Sequence, residues 1–271
     1  MTLDWVNGDP GELRRAYAAE RAVLDATAPA DVQVSPMDDG PLSGLRFVPA
    51  GGGQGAPILY FHGGGWLLGS PETHRALCAW LSKLSGRRVT SVRYPLAPEH
   101  PYPAQRNAAR AALMACLAEE DGPLFVAGDS AGGAMALWAA GDDTAHVAGV
   151  AAFYPAYGLT QSASISRHGP GDAALNAAAL AAMYARLGAD PAELQRDVAK
   201  TGAPVLVIAA TEDPLFDDAI ALAQDLHGRD VTLWHAQGHE HAFLHHGASD
   251  SAVRDWLSRV GAWCDATETA R

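Results

Sequence analysis

The chain has 271 residues, 48% of them hydrophobic, with a formal net charge of −12 and a pI near 5.2. That length is enough for one large α/β domain with a well-buried core, and nothing in the composition indicates a second independent fold. The acidic charge argues against nucleic acid and anionic membranes as partners, because both bind basic surfaces.

Strands and helices alternate along the chain in the pattern of a mostly parallel sheet with helices on both faces. The expected strands lie at residues 32–34, 45–48, 58–61, 88–93, 124–127, 147–154, 205–210 and 231–235. The expected helices lie at residues 11–26, 75–84, 105–118, 173–187 and 191–200, with one more after residue 132. Three glycines at 51–53 are expected to form a hairpin turn between two short strands.

The N-terminal residues 1–25 contain acidic side chains and no apolar stretch of the kind found in signal peptides or membrane spans. The three cysteines, Cys78, Cys116 and Cys264, are far apart and odd in number, which fits reduced thiols packed as small apolar groups. We therefore expect a cytoplasmic protein.

The strand at 58–61 leads into His62, three glycines and Trp66. Three consecutive glycines allow backbone N–H groups to converge, so Gly63 and Gly64 are expected to stabilise an oxygen that becomes negative during acyl transfer. His62 is expected to anchor this segment, residues 62–66, which we call the glycine loop or, for its expected role, the oxyanion loop. Trp66 is expected to narrow the space near the nucleophile, with packing in the core as the alternative.

The strand at 124–127 leads into Gly-Asp-Ser-Ala-Gly at residues 128–132. A strand that turns sharply into a helix needs glycines on both sides of the turn, because a Cβ there would collide with its neighbours. The turn exposes the hydroxyl of Ser130, which makes it the candidate nucleophile. The N–H of Ala131 is expected to be a third oxyanion donor.

A serine nucleophile needs an imidazole to take its proton and a carboxylate to orient the imidazole. The acid candidates beyond the strand at 205–210 are Glu212, Asp213, Asp217 and Asp218. Asp213 is favoured, because Pro214 fixes the chain after it and the later pair falls on the next helix. Glu212 is the alternative.

Beyond the strand at 231–235 the histidine candidates are His235, His239, His241, His245 and His246. We assign the proton transfer to His241, which completes the order serine, acid, histidine. The histidine run lacks a helical His-Glu-x-x-His pattern and a nearby cysteine pair, so no metal is expected. The proposed chemistry needs no cofactor.

The chain resembles the bacterial hormone-sensitive-lipase-like esterases of the α/β-hydrolase fold. The resemblance rests on four blocks, which are residues 62–66, residues 94–104, residues 128–133, and residues 213–215 together with 241–243. It implies the nucleophile Ser130, the acid Asp213, the base His241 and oxyanion donors at Gly63, Gly64 and Ala131. It also implies cis peptide bonds at Ala97–Pro98 and Tyr102–Pro103, in a block that we expect to support the oxyanion loop.

This sequence departs from the family pattern in three places. Ala242 follows the base where the family has glycine, and Asp217-Asp218 replaces Asp-Glu. The N-terminal part, which in the family contributes to a cap over the pocket, is shorter than usual. The expected cap is small and helical and consists of residues 1–27 and 158–201, although the second segment could equally be plain core packing. Met183 and Tyr184 in that segment are candidate substrate contacts.

The resulting hypothesis is a serine carboxylesterase that hydrolyses short-chain acyl esters through an acyl-enzyme. An amidase or arylformamidase acting on N-formylkynurenine is the first alternative, because the same three residues serve both reactions. A non-catalytic receptor or a dehydratase built on this fold is less favoured, since such proteins usually lack part of the motif set. The expected partner is a small ester, and the oligomeric state is left open, a homo-oligomer included.

Overall fold

A computed structural model of the chain describes residues 4–141, 145–171, 175–198, 201–248 and 250–271. Its strands are β1 (Gln33–Met37), β2 (Gly44–Val48), β3 (Ile58–Phe61), β4 (Val89–Val92), β5 (Leu124–Asp129), β6 (Val147–Phe153), β7 (Val205–Ala210) and β8 (Val231–Ala236). Over the described residues they form one sheet in the order β1-β2-β4-β3-β5-β6-β7-β8.

The sheet is parallel from β4 to β8, and β1 and β2 are antiparallel additions at one edge. Every residue of β3, β5, β6 and β7 is buried, as expected where helices cover both faces of a parallel sheet. The prediction of a mostly parallel α/β-hydrolase sheet is confirmed. The predicted hairpin at Gly51–Gly53 is wrong: β2 pairs with β1 and β4, so these glycines lie in a connection between strands that are not neighbours.

The helices are α1 (Pro10–Asp25), α2 (Arg75–Ser85), α3 (Ala104–Glu119), α4 (Ala131–Ala140), α5 (Ala163–His168), α6 (Ala177–Leu187), α7 (Pro191–Val198), α8 (Phe216–Asp225) and α9 (Ser251–Thr269). Helices α3, α4 and α8 pack on one face of the sheet, and α2 and α9 pack on the other. The expected start of α6 at Ala173 and the end of α7 at Lys200 lie outside the described residues. Sequence reasoning did not predict α5 and α9.

The N-terminal segment and α6 meet over one end of the sheet. Arg186 of α6 donates to the carbonyl oxygens of Val6 (3.1 Å) and Gly8 (2.9 Å). Arg14 of α1 donates to the carbonyl oxygen of Leu67, just beyond the glycine loop, at 2.8 Å. These contacts hold both segments next to residues 62–68.

None of the helices that the structure describes is both long and apolar enough to cross a membrane. Cys78, Cys116 and Cys264 are all buried and unbonded to one another.

Candidate active site

Ser130 lies at the tip of a tight turn between β5 and α4. Its backbone has φ 54° and ψ −121°, a conformation that residues other than glycine rarely adopt. The N–H of Ser130 donates to the carbonyl oxygen of Phe153 at 2.8 Å, which fixes the turn against β6. A Cβ on Gly132 would lie 2.1 Å from the carbonyl oxygen of Phe61, so α4 can begin against β3 only with glycine there.

Of the four candidate acids, Asp213 is the one that contacts His241. Its Oδ2 lies 2.6 Å from Nδ1 of the imidazole, and its Oδ1 accepts the N–H of Leu215 at 2.7 Å. Asp213 is fully buried, whereas Glu212 is exposed. With Nδ1–H donating to the carboxylate, Nε2 of His241 can accept a proton.

The other two candidate carboxylates, in the first turn of α8, accept hydrogen bonds from the backbone instead. Oδ2 of Asp217 accepts the N–H of Ser164 at 2.8 Å. Oδ1 of Asp218 accepts three N–H groups, from Tyr157 at 2.7 Å, Gly158 at 3.0 Å and Leu159 at 3.2 Å. Burial nevertheless raises the pKa of Asp218 to about 7. Both aspartates therefore fix the chain that leaves β6.

The structure corrects one of the predicted oxyanion donors. The N–H of Gly63 points inward and lies 3.0 Å from Oδ1 of Asp129 and 3.1 Å from Nε2 of His74. It is therefore engaged inside the protein and is not free for an oxyanion. Among the residues that the structure describes, none accepts a hydrogen bond from the N–H of Gly64, Gly65 or Ala131. These three amides, rather than the predicted set with Gly63, are the candidates.

His62 anchors the glycine loop, in the role predicted for it. Its ring stacks on Tyr94 with 4.1 Å between centroids, and its Nδ1 lies 2.9 Å from the carbonyl oxygen of Gly63. Burial lowers the pKa of His62 to about 3, so the ring is neutral at physiological pH. The hydroxyl of Tyr94 donates to the carbonyl oxygen of His62 at 2.8 Å.

The proline-rich block that follows Tyr94 continues this support. The N–H of Ala97 donates to the carbonyl oxygen of Trp66 at 3.0 Å. The peptide bonds Ala97–Pro98 and Tyr102–Pro103 are both cis, which confirms that prediction. The block therefore contacts the far end of the glycine loop.

Asp129 is the centre of a buried polar cluster that sequence reasoning missed. Its carboxylate accepts the hydroxyl of Tyr60 at 2.7 Å and lies 3.3 Å from Nε2 of His74 and of His245. Burial opposes its ionisation, but the two imidazoles hold the pKa of Asp129 well below its usual range. Burial lowers the pKa of His245 to about 3. The sequence signals were an acid inside the serine motif and a second histidine four residues after His241.

The three candidate substrate contacts lie beside the glycine loop. A Cβ on Gly65 would lie 2.4 Å from Sδ of Met183, so this methionine touches the loop. Trp66 is only 2% exposed, stacks on Trp138 at 6.0 Å, and lies 5.8 Å from the ring of Tyr184. The position of Trp66 favours the alternative role of a core aromatic. Contact with substrate stays a prediction for all three.

Comparison with known proteins places this geometry in a family. A family model described as an alpha/beta hydrolase fold matches residues 58–245. An ethyl acetate hydrolase of Pseudomonas putida is 30% identical over 244 residues, which are 82% of this chain and 73% of that protein. The carboxylic ester hydrolase LipN of Mycobacterium tuberculosis is 36% identical over 126 residues, 42% of this chain but only 34% of that protein.

Solved structures of esterases have the same fold as this chain. An esterase of Pyrobaculum calidifontis superimposes with a TM-score of 0.84 at 28% identity and covers 97% of this chain and 94% of its own. An esterase of the bacterial hormone-sensitive lipase family gives a TM-score of 0.82 at 25% identity, covering 95% of this chain and 91% of its own. The chain belongs to the hormone-sensitive-lipase-like esterases of the α/β-hydrolase superfamily.

Proposed function

We propose that this chain is a serine carboxylesterase that hydrolyses short-chain acyl esters through an acyl-enzyme. The observation that carries the proposal is the 2.6 Å contact between buried Asp213 and His241, beside a nucleophile turn in which Ser130 has a positive φ. Phe153 and Tyr154, neighbours in the chain, connect the serine turn to the histidine. The N–H of Ser130 donates to the carbonyl oxygen of Phe153, and the ring of Tyr154 packs edge-on against His241 with 5.0 Å between centroids.

In this mechanism, Nε2 of His241 takes the proton of the Ser130 hydroxyl as the oxygen attacks the ester carbonyl. The N–H groups of Gly64, Gly65 and Ala131 stabilise the resulting oxyanion. His241 then protonates the leaving alcohol, and the acyl-enzyme remains.

Deacylation uses the same groups in reverse. His241 takes a proton from water, the resulting hydroxide attacks the acyl carbonyl, and Ser130 recovers its proton as the acid departs. Asp213 holds the imidazole in the productive tautomer and stabilises the imidazolium formed in each step. Apart from the ester and one water molecule, the steps use only groups of the protein.

Two observations support a short acyl group. We assign residues 1–27 and 158–201 as the cap. Among their described residues, Arg14 bonds to Leu67 beside the glycine loop, Arg186 bonds to Gly8 and so joins the two segments, and Met183 touches the glycine loop. The Pseudomonas putida relative is named for ethyl acetate, a two-carbon acyl ester. We extend that substrate class to this chain. A cytoplasmic location and a homo-oligomer stay predictions.

A fluorophosphonate probe tests the proposal directly, because it forms a stable adduct with an activated serine. We expect one label per chain, none in Ser130→Ala, and normal labelling in the control Ser166→Ala, which alters an exposed serine of α5. Hydrolysis of p-nitrophenyl butyrate should follow the same pattern. Labelling that persists in Ser130→Ala would refute the mechanism. A strong preference for N-formylkynurenine over the ester would refute the substrate class alone.

A further inference from the structure

We propose that His74, Asp129 and His245 form a binding site for a divalent transition-metal ion of the Zn²⁺ type, directly behind the oxyanion loop. The three residues are buried, and each offers a ligand atom that lies within 4.8 Å of the other two. His74 precedes α2, Asp129 precedes the nucleophile, and His245 lies on the 3-10 turn Phe243–Ala248. The site is separate from the Asp213–His241 pair.

The imidazole–carboxylate distances match those of tetrahedral coordination, and all three ligand atoms lie within 4.8 Å of one another. Nε2 of His74 lies 3.3 Å from both carboxylate oxygens of Asp129, and Nε2 of His245 lies 3.3 Å from Oδ2. In a tetrahedron with metal–ligand bonds of about 2.0–2.1 Å, neighbouring ligand atoms are about 3.3–3.4 Å apart. Two imidazoles and one carboxylate are a usual zinc donor set, with water as the fourth ligand.

The hydrogen bonds around His74 orient it as metal-ligating histidines are oriented. The hydroxyl of Thr73 donates to the carbonyl oxygen of Ser70 at 2.8 Å, so at 2.9 Å from His74 it accepts the hydrogen of Nδ1. In that tautomer Nε2 carries the lone pair, which accepts the N–H of Gly63 at 3.1 Å. A bound cation would take over this lone pair together with the carboxylate of Asp129 beside it. The Thr73 contact is the outer-shell bond that fixes the ligating tautomer.

The route to the site follows from the position of His245. Its ring meets that of His74 edge-on at 4.6 Å, yet the next residue, His246, is exposed. A short 3-10 turn opens more readily than the strands beneath it. Metal should therefore enter by opening of this turn, and binding should be slow compared with binding to surface histidines.

Occupation should also weaken catalysis, a consequence that rests on the proposed function. A metal bound to Asp129 competes for the carboxylate that holds the N–H of Gly63 at 3.0 Å. Loss of that bond frees the glycine loop, and a disordered oxyanion donor typically costs about 10²–10³ in turnover. The metal is thus an inhibitor and takes no part in the reaction.

The test uses Co²⁺ in place of Zn²⁺, because tetrahedral Co²⁺ absorbs visible light strongly and octahedral Co²⁺ does not. The tag-free chain, incubated with Co²⁺, should develop tetrahedral absorption equivalent to one ion per chain, and Zn²⁺ should abolish it. His245→Asn should weaken binding more than about 100-fold. The matched control His246→Asn, on the neighbouring exposed histidine, should bind as the unaltered chain does.

The readout does not depend on activity, so it separates the metal site from the esterase proposal. Absence of tetrahedral absorption in the unaltered chain would overturn the site. Absorption that survives in His245→Asn would overturn it too. If Co²⁺ binds at this site but Zn²⁺ leaves p-nitrophenyl butyrate hydrolysis unchanged, the inhibitory coupling is refuted. A Thr73→Val variant should weaken binding about 10-fold or more.

Discussion

The backbone N–H of Gly63 lies 3.0 Å from Oδ1 of Asp129, the residue that precedes the proposed nucleophile. One buried carboxylate thus ties the path of the oxyanion loop to the turn that presents Ser130. The hydroxyl of Tyr60, at the base of the same loop, donates to the same oxygen at 2.7 Å. The two halves of the acyl-transfer site are therefore positioned by a shared partner rather than independently.

Replacing Asp129 with Asn should impair turnover much more than substrate binding. The amide keeps one acceptor but loses the charge that holds Gly63 and Tyr60 together, so the neighbouring donors are displaced from the oxyanion. We expect kcat to fall by about 10²–10³ with little change in KM, as for loss of one oxyanion donor. Steady-state kinetics on p-nitrophenyl butyrate measure this, with the exposed Asp121→Asn as control. An unchanged kcat would mean that this contact does not position the loop.

Replacing Asp213 with Asn should cut turnover by about 10⁴, because the amide favours the wrong tautomer of His241. Glu212→Gln should have little effect, since Glu212 is exposed and the structure brings Asp213 to the imidazole. Turnover of both variants under identical conditions gives the ranking. The reverse order would show that the acid has been assigned to the wrong neighbour.

Much of this site could be predicted because local rules determine it. The strand–turn–helix around Ser130 follows from glycines at fixed positions. The contact of Asp213 with His241 follows from the order of the strands, since carboxyl ends of parallel strands meet at one edge of the sheet. Pro214 favoured Asp213 over its neighbour Glu212, and Asp213 is the one that lies against His241 in the structure.

The remainder depended on contacts between distant segments. Three consecutive glycines do not reveal which amide points inward; that is decided by Asp129, which is 66 positions from Gly63. His245 was expected to be an ordinary loop histidine, but it lies against a carboxylate 116 positions away. The acid in the serine motif and the histidine four residues after His241 are visible in the sequence, but nothing in the sequence shows that the two lie together or that Gly63 points at them.

Asp218→Asn should stabilise the protein at high pH. Burial raises the pKa of Asp218 in the folded state to about 7 from 3.8, so the folded chain holds the proton more tightly than the unfolded chain does. In the unaltered chain, the stability contributed by protonated Asp218 is fully present below about pH 4 and is lost as the pH rises through about 7. Asn keeps an acceptor for the three backbone N–H groups and does not ionise.

The difference in unfolding free energy between Asp218→Asn and the unaltered chain should therefore grow in favour of the variant by about 3 kcal/mol from about pH 5 to about pH 8. Urea denaturation at the two pH values measures it, with the exposed Glu212→Gln as control. A difference independent of pH would show that Asp218 is ionised throughout this range in the folded protein.

The unaltered chain should prefer esters of short acyl groups, in the range from acetate to butyrate, and Met183→Ala should move the optimum to longer acyl groups. Sδ of Met183 abuts the glycine loop at Gly65, so truncation adds space where an acyl chain would extend. Each methylene that fits gains about 0.8 kcal/mol, so the ratio of kcat/KM for hexanoate to butyrate should rise about tenfold. Met114→Ala, which shortens an exposed methionine of α3, should leave that ratio unchanged. An optimum at octanoate or beyond in the unaltered chain would refute the short-chain assignment and leave the roles of Ser130 and His241 untouched.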